Sequence, residues 1–208
     1  MKKKLNKISL MLYIMMIVVI GFVNQNTIVS YAASKNTSKK VLLVHPYSDA
    51  KGFNKINSVK GIVDDYYKNI TSWDGSKINY STSMEKSGNY DIVVISSHGS
   101  TKGISMFKNG KRFDAGVSEV KKWKVKKNSI YIISACSISE KNTKLAQALI
   151  DKGAKAVYTY DKEVMRFNSR IQIKLLTKYL SQGQTPIQAF KNLGKNYGNS
   201  DMILNLKK

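Results

Sequence analysis

Four short apolar runs, separated by longer amphipathic stretches, most constrain what this chain can fold into. The runs carry no charged side chain: Val41–Val44, Ile92–Ile95, Ile130–Ile133 and Ala156–Tyr160. Runs of this length and composition are typical of strands that are buried on both faces of a sheet. Strands that alternate with helices favour a mainly parallel sheet covered on both faces. The sequence therefore predicts an α/β fold.

Helical periodicity accounts for most of the stretches between the runs. Apolar side chains recur at helical spacing in four places: residues 58–70, 143–152, 169–181 and 186–197. The last of these opens with a capping box, because Thr185 precedes Pro186 and Gln188 lies three residues after Thr185. For the helix over 143–152 we expect Asn142 as the N-cap and Gly153 just past the end.

Weaker patterns predict the remaining strands. Alternation over residues 78–82 indicates an edge strand, and residues 202–206 indicate a last strand. Asn109 and Gly110 stand at the centre of residues 104–113, and this dipeptide is a strong signal for a two-residue hairpin turn, since both turn positions need a positive φ.

Residues 1–33 have the order of a secretory signal peptide. A lysine-rich start is followed by the uncharged run Ile8–Val23, and small residues around Ala32 offer a cleavage point. The run has 16 residues, fewer than the ~20 that a membrane-spanning helix needs, so an uncleaved anchor is the second choice. We expect a secreted, extracellular protein that meets the membrane only before cleavage, with a polar lead-in over 34–40 and one domain over 41–208.

The chain is strongly basic. The signal segment has four of the 35 Lys and Arg residues and none of the 13 acids, so cleavage lowers the formal charge from +22 to +18. Such a charge favours anionic partners, but it also suits an ordinary soluble surface. The densest basic run surrounds Trp123 with five lysines: Lys121, Lys122, Lys124, Lys126 and Lys127. This run is either a patch for an anionic cell-wall polymer or an exposed connection, and nucleic acid is not expected as a partner.

Two chemically active residues follow neighbouring apolar runs. His98 comes just after Ile92–Ile95, and Cys136 comes just after Ile130–Ile133. Sites in open parallel sheets form beyond the carboxyl ends of the strands, so the two residues are expected side by side. As the only cysteine of an exported chain, Cys136 is buried and inert, intermolecular, or a reactive thiol. An imidazole beside it can take the thiol proton and later protonate a leaving amine.

A glycine directly after the histidine adds to this pattern. Gly99 lets a substrate approach the backbone, and its N–H can join that of Cys136 in stabilising an oxyanion. Taken alone, a cysteine at the end of an apolar strand is more often a small core residue. The coincidence of the only Cys, one of two His and a following Gly at two strand ends favours a catalytic pair.

The segments 93–99 (VVISSHG) and 129–136 (SIYIISAC), with a hairpin between them, resemble the caspase-like cysteine peptidases, which include caspases, legumains, gingipains and clostripain. Their shared pattern is strand-His-Gly, a spacer and strand-Ala-Cys, and the resemblance covers residues 41–206. It implies a three-layer sandwich with a six-stranded sheet in the order 2-1-3-4-5-6. It also implies an endopeptidase acting on protein or peptide substrates, with Cys136 as nucleophile, His98 as general acid/base, and Gly99 and Cys136 as oxyanion donors. No metal or cofactor is expected.

Residues around the proposed pocket bear on specificity. Ser134 stands where caspases have Gln and legumains have Glu, which argues against the specificity of either group. Asp161 and Glu163 follow the next strand and either attract a Lys or Arg side chain of the substrate or are exposed loop acids. His45 and Asp49 follow the first strand and either orient the histidine, line the pocket or belong to a structural loop.

Two other functions stay open at this point. One is a catalytically idle member of the same fold that binds a cell-surface or host partner. The other is a cationic domain that binds polyanions through residues 121–127. A reactive thiol separates the peptidase from both.

Overall fold

The structure is a computed structural model that describes residues 34–49, 56–139, 144–199 and 201–207, without the side chains of residues 56–58 and 166. The predicted signal peptide and the predicted N-cap Asn142 lie outside the described residues. The strands are β1 Asn36–His45, β2 Tyr67–Asp74, β3 Ile92–Ser96, β4 Gly99–Ser100, β5 Gly103–Lys108, β6 Lys111–Ala115, β7 Ile130–Ser134, β8 Ala156–Tyr160 and β9 Met202–Leu206. The helices are α1 Ile56–Asp64, α2 Tyr80–Met84, α3 Val117–Val120, α4 Lys144–Asp151, α5 Arg166–Ser181 and α6 Pro186–Asn196.

The central sheet has six strands in the order β2-β1-β3-β7-β8-β9. All neighbouring strands in it are parallel except β8 and β9, which are antiparallel. The predicted mainly parallel α/β sheet is confirmed. The strand order differs from the expected numbering, because β4, β5 and β6 lie between β3 and β7 in the chain and form a small antiparallel sheet of their own.

Alternate residues of the central strands enter two separate hydrophobic cores, as the two-residue period of a strand requires. Leu42 and Val44 pack on the side of α2, α3, α4 and the small sheet. Val41 and Leu43 pack on the side of α1, α5 and α6. Helices therefore cover both faces of the sheet, as the apolar runs predict.

The local signals at the hairpin turn, at the Thr185 cap and at Gly153 are confirmed. Asn109 (φ 51°) and Gly110 (φ 75°) join β5 to β6, both in the left-handed region that the hairpin turn needs. Thr185 Oγ1 accepts a hydrogen bond from the Gln188 amide at 3.3 Å, and the Thr185 amide donates to Gln188 Oε1 at 2.9 Å. Gly153 follows α4 with a φ of 114°.

Three boundaries differ from the prediction. The helix expected over 58–70 ends at Asp64, and residues 67–74 form the edge strand β2 because their backbone pairs with β1. The strand expected over 78–82 is replaced by α2, whose N-cap Asn79 accepts a hydrogen bond from the Thr82 amide. The lead-in expected over 34–40 is mostly strand, since β1 begins at Asn36 and the Asn36 amide donates to Tyr66 O at 2.7 Å. Within the described residues, no helix combines the length and the apolar character that crossing a bilayer demands.

Candidate active site

The carboxyl ends of β3 and β7 lie next to each other. Ser96 and Ser134 are partners in the parallel ladder, and the Ser97 amide donates to Ser134 O at 3.0 Å. His98 and Cys136 each come two residues after one of these partners. The predicted adjacency of the two strand ends is confirmed.

His98 and Cys136 line the same groove, which has a volume of about 350 Å³. The other residues that line it are Ser96, Ser97, Ser134, Val164, Met165 and Ser169. His98 is exposed, and Cys136 is half-buried with a free thiol whose Sγ lies 3.9 Å from Val164 O. A thiol and an imidazole therefore line one solvent-accessible groove.

Gly99 brings the histidine segment into contact with the cysteine segment. A Cβ atom at this position would lie 2.7 Å from Cys136 O and 2.8 Å from Ala135 Cβ. On its other side, the segment is tied to the small sheet, because the Ser105 amide donates to His98 O at 2.9 Å. Only glycine allows the two strand ends to come this close.

If His98 and Cys136 act together as the sequence predicts, Gly99→Ala should lower catalytic efficiency about 100-fold, because the added methyl group must push His98 away from Cys136 by a large fraction of an ångström. Overpacking should also cost about 1–3 kcal/mol of unfolding free energy. The measurements are kcat/KM on a cleaved peptide and chemical denaturation.

Gly61→Ala is the matched control for this change. Gly61 is an exposed residue of α1, and no described atom lies within 4 Å of a Cβ built there, apart from its chain neighbours and the nearby backbone of its own helix. This variant should keep full activity, and its unfolding free energy should rise by about 0.5–1 kcal/mol, since alanine favours the helix more than glycine does. A Gly99→Ala protein as active as Gly61→Ala would contradict the close-approach argument.

Tyr47 supports the histidine ring, and the sequence offered no signal for this role beyond its place after β1. The Tyr47 and His98 rings meet edge to face, with centroids 4.8 Å apart and an interplanar angle of 84°. The Tyr47 hydroxyl and Ser105 Oγ are 2.8 Å apart, and Arg112 Nε donates to the same Ser105 oxygen at 2.6 Å. The small sheet thus restricts Tyr47, and Tyr47 in turn restricts the orientation of the imidazole.

His45 and Asp49 are not brought to the groove. His45 is buried, and its carbonyl accepts hydrogen bonds from the amides of Gly75 at 3.0 Å and Ser48 at 3.3 Å. The Asp49 carboxylate accepts hydrogen bonds from the hydroxyl and the amide of Ser76, and these bonds lower its pKa. In the described residues, both therefore stabilise the loops after β1 and β2.

Of the three residues predicted to contact the substrate side chain near β7 and β8, only Ser134 lines the groove. Asp161 is half-buried and its amide donates to Asp201 O at 3.2 Å, whereas Glu163 is exposed. The groove wall is instead formed by Val164 and Met165, which the sequence analysis missed. The lining that the structure describes contains no Lys, Arg, Asp or Glu.

The chain turns sharply directly after the cysteine. Ser137 has a φ of 55°, in the left-handed region that side chains other than glycine rarely adopt. Its amide donates to Lys162 O at 3.0 Å, which fixes the loop after β7 to the loop after β8. Backbone outliers of this kind gather at functional sites, and this one holds Cys136 at the mouth of the groove.

The basic run 121–127 is partly built into the fold. Trp123 is fully buried in the core with α2, α3 and α4. Lys122 pairs with Glu119 at 3.1 Å, and Lys126 pairs with Asp91 at 2.7 Å. The Trp123 ring is thus not presented to a partner, and the exposed lysines of the run that form no ion pair with a described acidic residue are Lys121, Lys124 and Lys127.

Among the residues that the structure describes, no cluster of three or more His, Cys, Asp and Glu side chains can hold a metal ion. No protein-family model matches the chain, and no curated protein matches it.

Proposed function

We propose that this chain is an exported cysteine endopeptidase with a caspase-like fold, in which Cys136 is the nucleophile and His98 the general acid/base. One observation carries the proposal: a free thiol and an exposed imidazole line one groove at the carboxyl edge of a mainly parallel sheet. The resemblance of the strand-His-Gly and strand-Ala-Cys segments to caspase-like peptidases supports it, as does the neighbouring position of β3 and β7.

The proposed reaction has two stages. His98 takes the proton of Cys136, and the thiolate sulfur forms a bond to the carbonyl carbon of the substrate peptide. The amides of Gly99 and Cys136 stabilise the negative charge on the carbonyl oxygen. The C–N bond then breaks while the imidazolium gives its proton to the leaving amine. Water, deprotonated by His98, hydrolyses the remaining thioester and restores the thiol.

The groove lining bears on the substrate. Ser96, Ser134 and Ser169 offer small polar side chains, and Val164 and Met165 offer apolar surface. Because no acidic residue is among the described lining residues, we expect an uncharged side chain at the cleaved position in preference to Lys or Arg. Asp161→Asn should then leave peptide selectivity unchanged, although Asp161 was a candidate for attracting basic side chains.

Thiol labelling tests the nucleophile without a known substrate. The folded protein should react with iodoacetamide at neutral pH about tenfold faster than N-acetylcysteine, because a protonated imidazole favours the thiolate. His98→Ala should remove most of this difference. Mass spectrometry of Cys136 over time gives the rates.

Lys102→Gln is the control for this measurement. The exposed Lys102 lies four residues after His98, so its loss removes one positive charge from the same connection but keeps the imidazole. This variant should label within about twofold of the wild type, since an exposed charge is screened by salt. Labelling that occurs only after denaturation would indicate a buried, inert thiol and reject the peptidase.

A further inference from the structure

A second groove, of about 560 Å³, lies at the opposite edge of the sheet. It runs past Ile92 and Ile130, the first residues of β3 and β7. Cys136 lies six positions after Ile130, so at a rise of ~3.3 Å per residue the groove is about 20 Å from the thiol. It is therefore separate from the candidate active site.

The charge of this groove is positive. Lys39, Lys155 and Lys207 line it and are exposed, and none of them forms an ion pair with a described acidic residue. Its one acid, Asp91, is already engaged, because Lys126 Nζ donates to one carboxylate oxygen at 2.7 Å and the Lys40 amide donates to the other at 2.9 Å. The lysines thus attract anions without competition from an unpaired carboxylate.

The shape and the other lining groups narrow the class of ligand. Asn128 and Gln184 add neutral polar groups beside the lysines, and three separate lysines around a groove of about 560 Å³ suit a ligand with several anionic groups better than a single compact ion. No aromatic side chain is among the described residues that line it. Proteins that bind single-stranded nucleic acids rely on aromatic side chains for stacking the bases, and this groove has no such platform.

We propose that this groove binds a linear phosphate-bearing polymer that has no bases. Lysine ammonium groups on flexible stems contact phosphates as point charges, which suits a repeating anionic chain held without strict register. Since this second groove and the candidate active site lie at opposite edges of the sheet, a polymer bound in the second groove leaves the candidate active site open. The protein would then be held on an anionic matrix with Cys136 accessible.

The test measures binding of a short poly(glycerol phosphate) chain by the purified protein over a series of salt concentrations. Replacing Lys39, Lys155 and Lys207 together by glutamine should weaken binding about tenfold or more, and should reduce the slope of log K against log salt by about two to three. The three side chains are exposed, so the folded state should persist, and its thermal unfolding is measured in parallel.

A charge-matched variant separates a built groove from general attraction. Replacing Lys102, Lys108 and Lys111 by glutamine removes the same charge from exposed positions in and beside the small antiparallel sheet, outside this groove, and binding should change less than about threefold. Equal losses in both triple variants, or no loss in the first, would overturn the proposal. An oligonucleotide with the same number of phosphates should bind more weakly than the base-free chain; tighter binding through the same lysines would instead assign the groove to nucleic acid.

Discussion

Replacing Cys136 by alanine should lower kcat/KM for peptide hydrolysis by at least about 10³-fold, because it removes the proposed nucleophile and leaves only serine hydroxyls in the described lining, which are far weaker nucleophiles than a thiolate. The change removes only one sulfur atom from a half-buried position. The fold should therefore persist, and the thermal unfolding midpoint should stay close to that of the wild type. The measurement is kcat/KM on a peptide selected from a library that the wild type cleaves.

The histidine provides the internal check on this result. His98→Ala should cause a loss of similar size, and the double variant should be little worse than either single one, since residues that act as a unit are strongly non-additive. Full activity in Cys136→Ala would assign the hydrolysis to another residue or to a contaminant. Additive losses would mean that the two side chains contribute separately.

Trp123→Ala should destabilise the protein by about 3–5 kcal/mol, the usual cost of removing a large aromatic side chain from a core. Trp123 has 0% of its surface exposed and lies in the same core as Leu42, Val93 and Ile133. Urea denaturation measures the effect. A domain of this size typically has only about 5–15 kcal/mol of unfolding free energy, so a large share of it would be lost.

Trp123→Phe is the matched comparison. It keeps most of the ring and removes the indole N–H, which is buried without a hydrogen-bond partner among the described residues. We expect it to lower the unfolding free energy by about 1 kcal/mol. The lost volume destabilises the core, whereas the removal of a buried, unpaired donor stabilises it. If Trp123→Ala left stability unchanged but weakened polymer binding, residues 121–127 would be a binding patch and not an anchored connection.

Much of this architecture could be predicted because its signals are local or depend on burial alone. The apolar runs predicted β3, β7 and β8 within a residue, since a strand covered on both faces needs a continuous apolar sequence. The Asn109-Gly110 turn and the Thr185 capping box depend on backbone conformation and on hydrogen bonds within a few residues. The placement of His98 and Cys136 in one groove followed from a general property of parallel sheets, that their carboxyl ends share an edge.

Other features depend on partners that are distant in sequence. Residues 67–74 carry helical periodicity up to Ile70, yet they form a strand because β1 offers an unpaired edge. The Tyr47 ring is held against His98 by a hydrogen bond between its hydroxyl and Ser105, which lies more than 50 residues later in the chain and itself accepts a hydrogen bond from Arg112. Neither the pairing of β2 with β1 nor the contact of Tyr47 with His98 produces a periodic pattern or a motif in the sequence.

The charged residues show most clearly which properties depend on the sequence alone and which depend on the tertiary structure. Composition alone establishes an excess of positive charge, because charge is a sum and needs no geometry. Long-range packing decides which of these side chains can contact a partner. Lys126 forms an ion pair with Asp91, and Trp123 is buried in the core although it lies within the basic run. Lys39, Lys155 and Lys207 meet in one groove although more than 160 residues separate the first from the last. The parallel sheet brings them together by placing the starts of β3, β7 and β8 at one edge, where the antiparallel β9 ends.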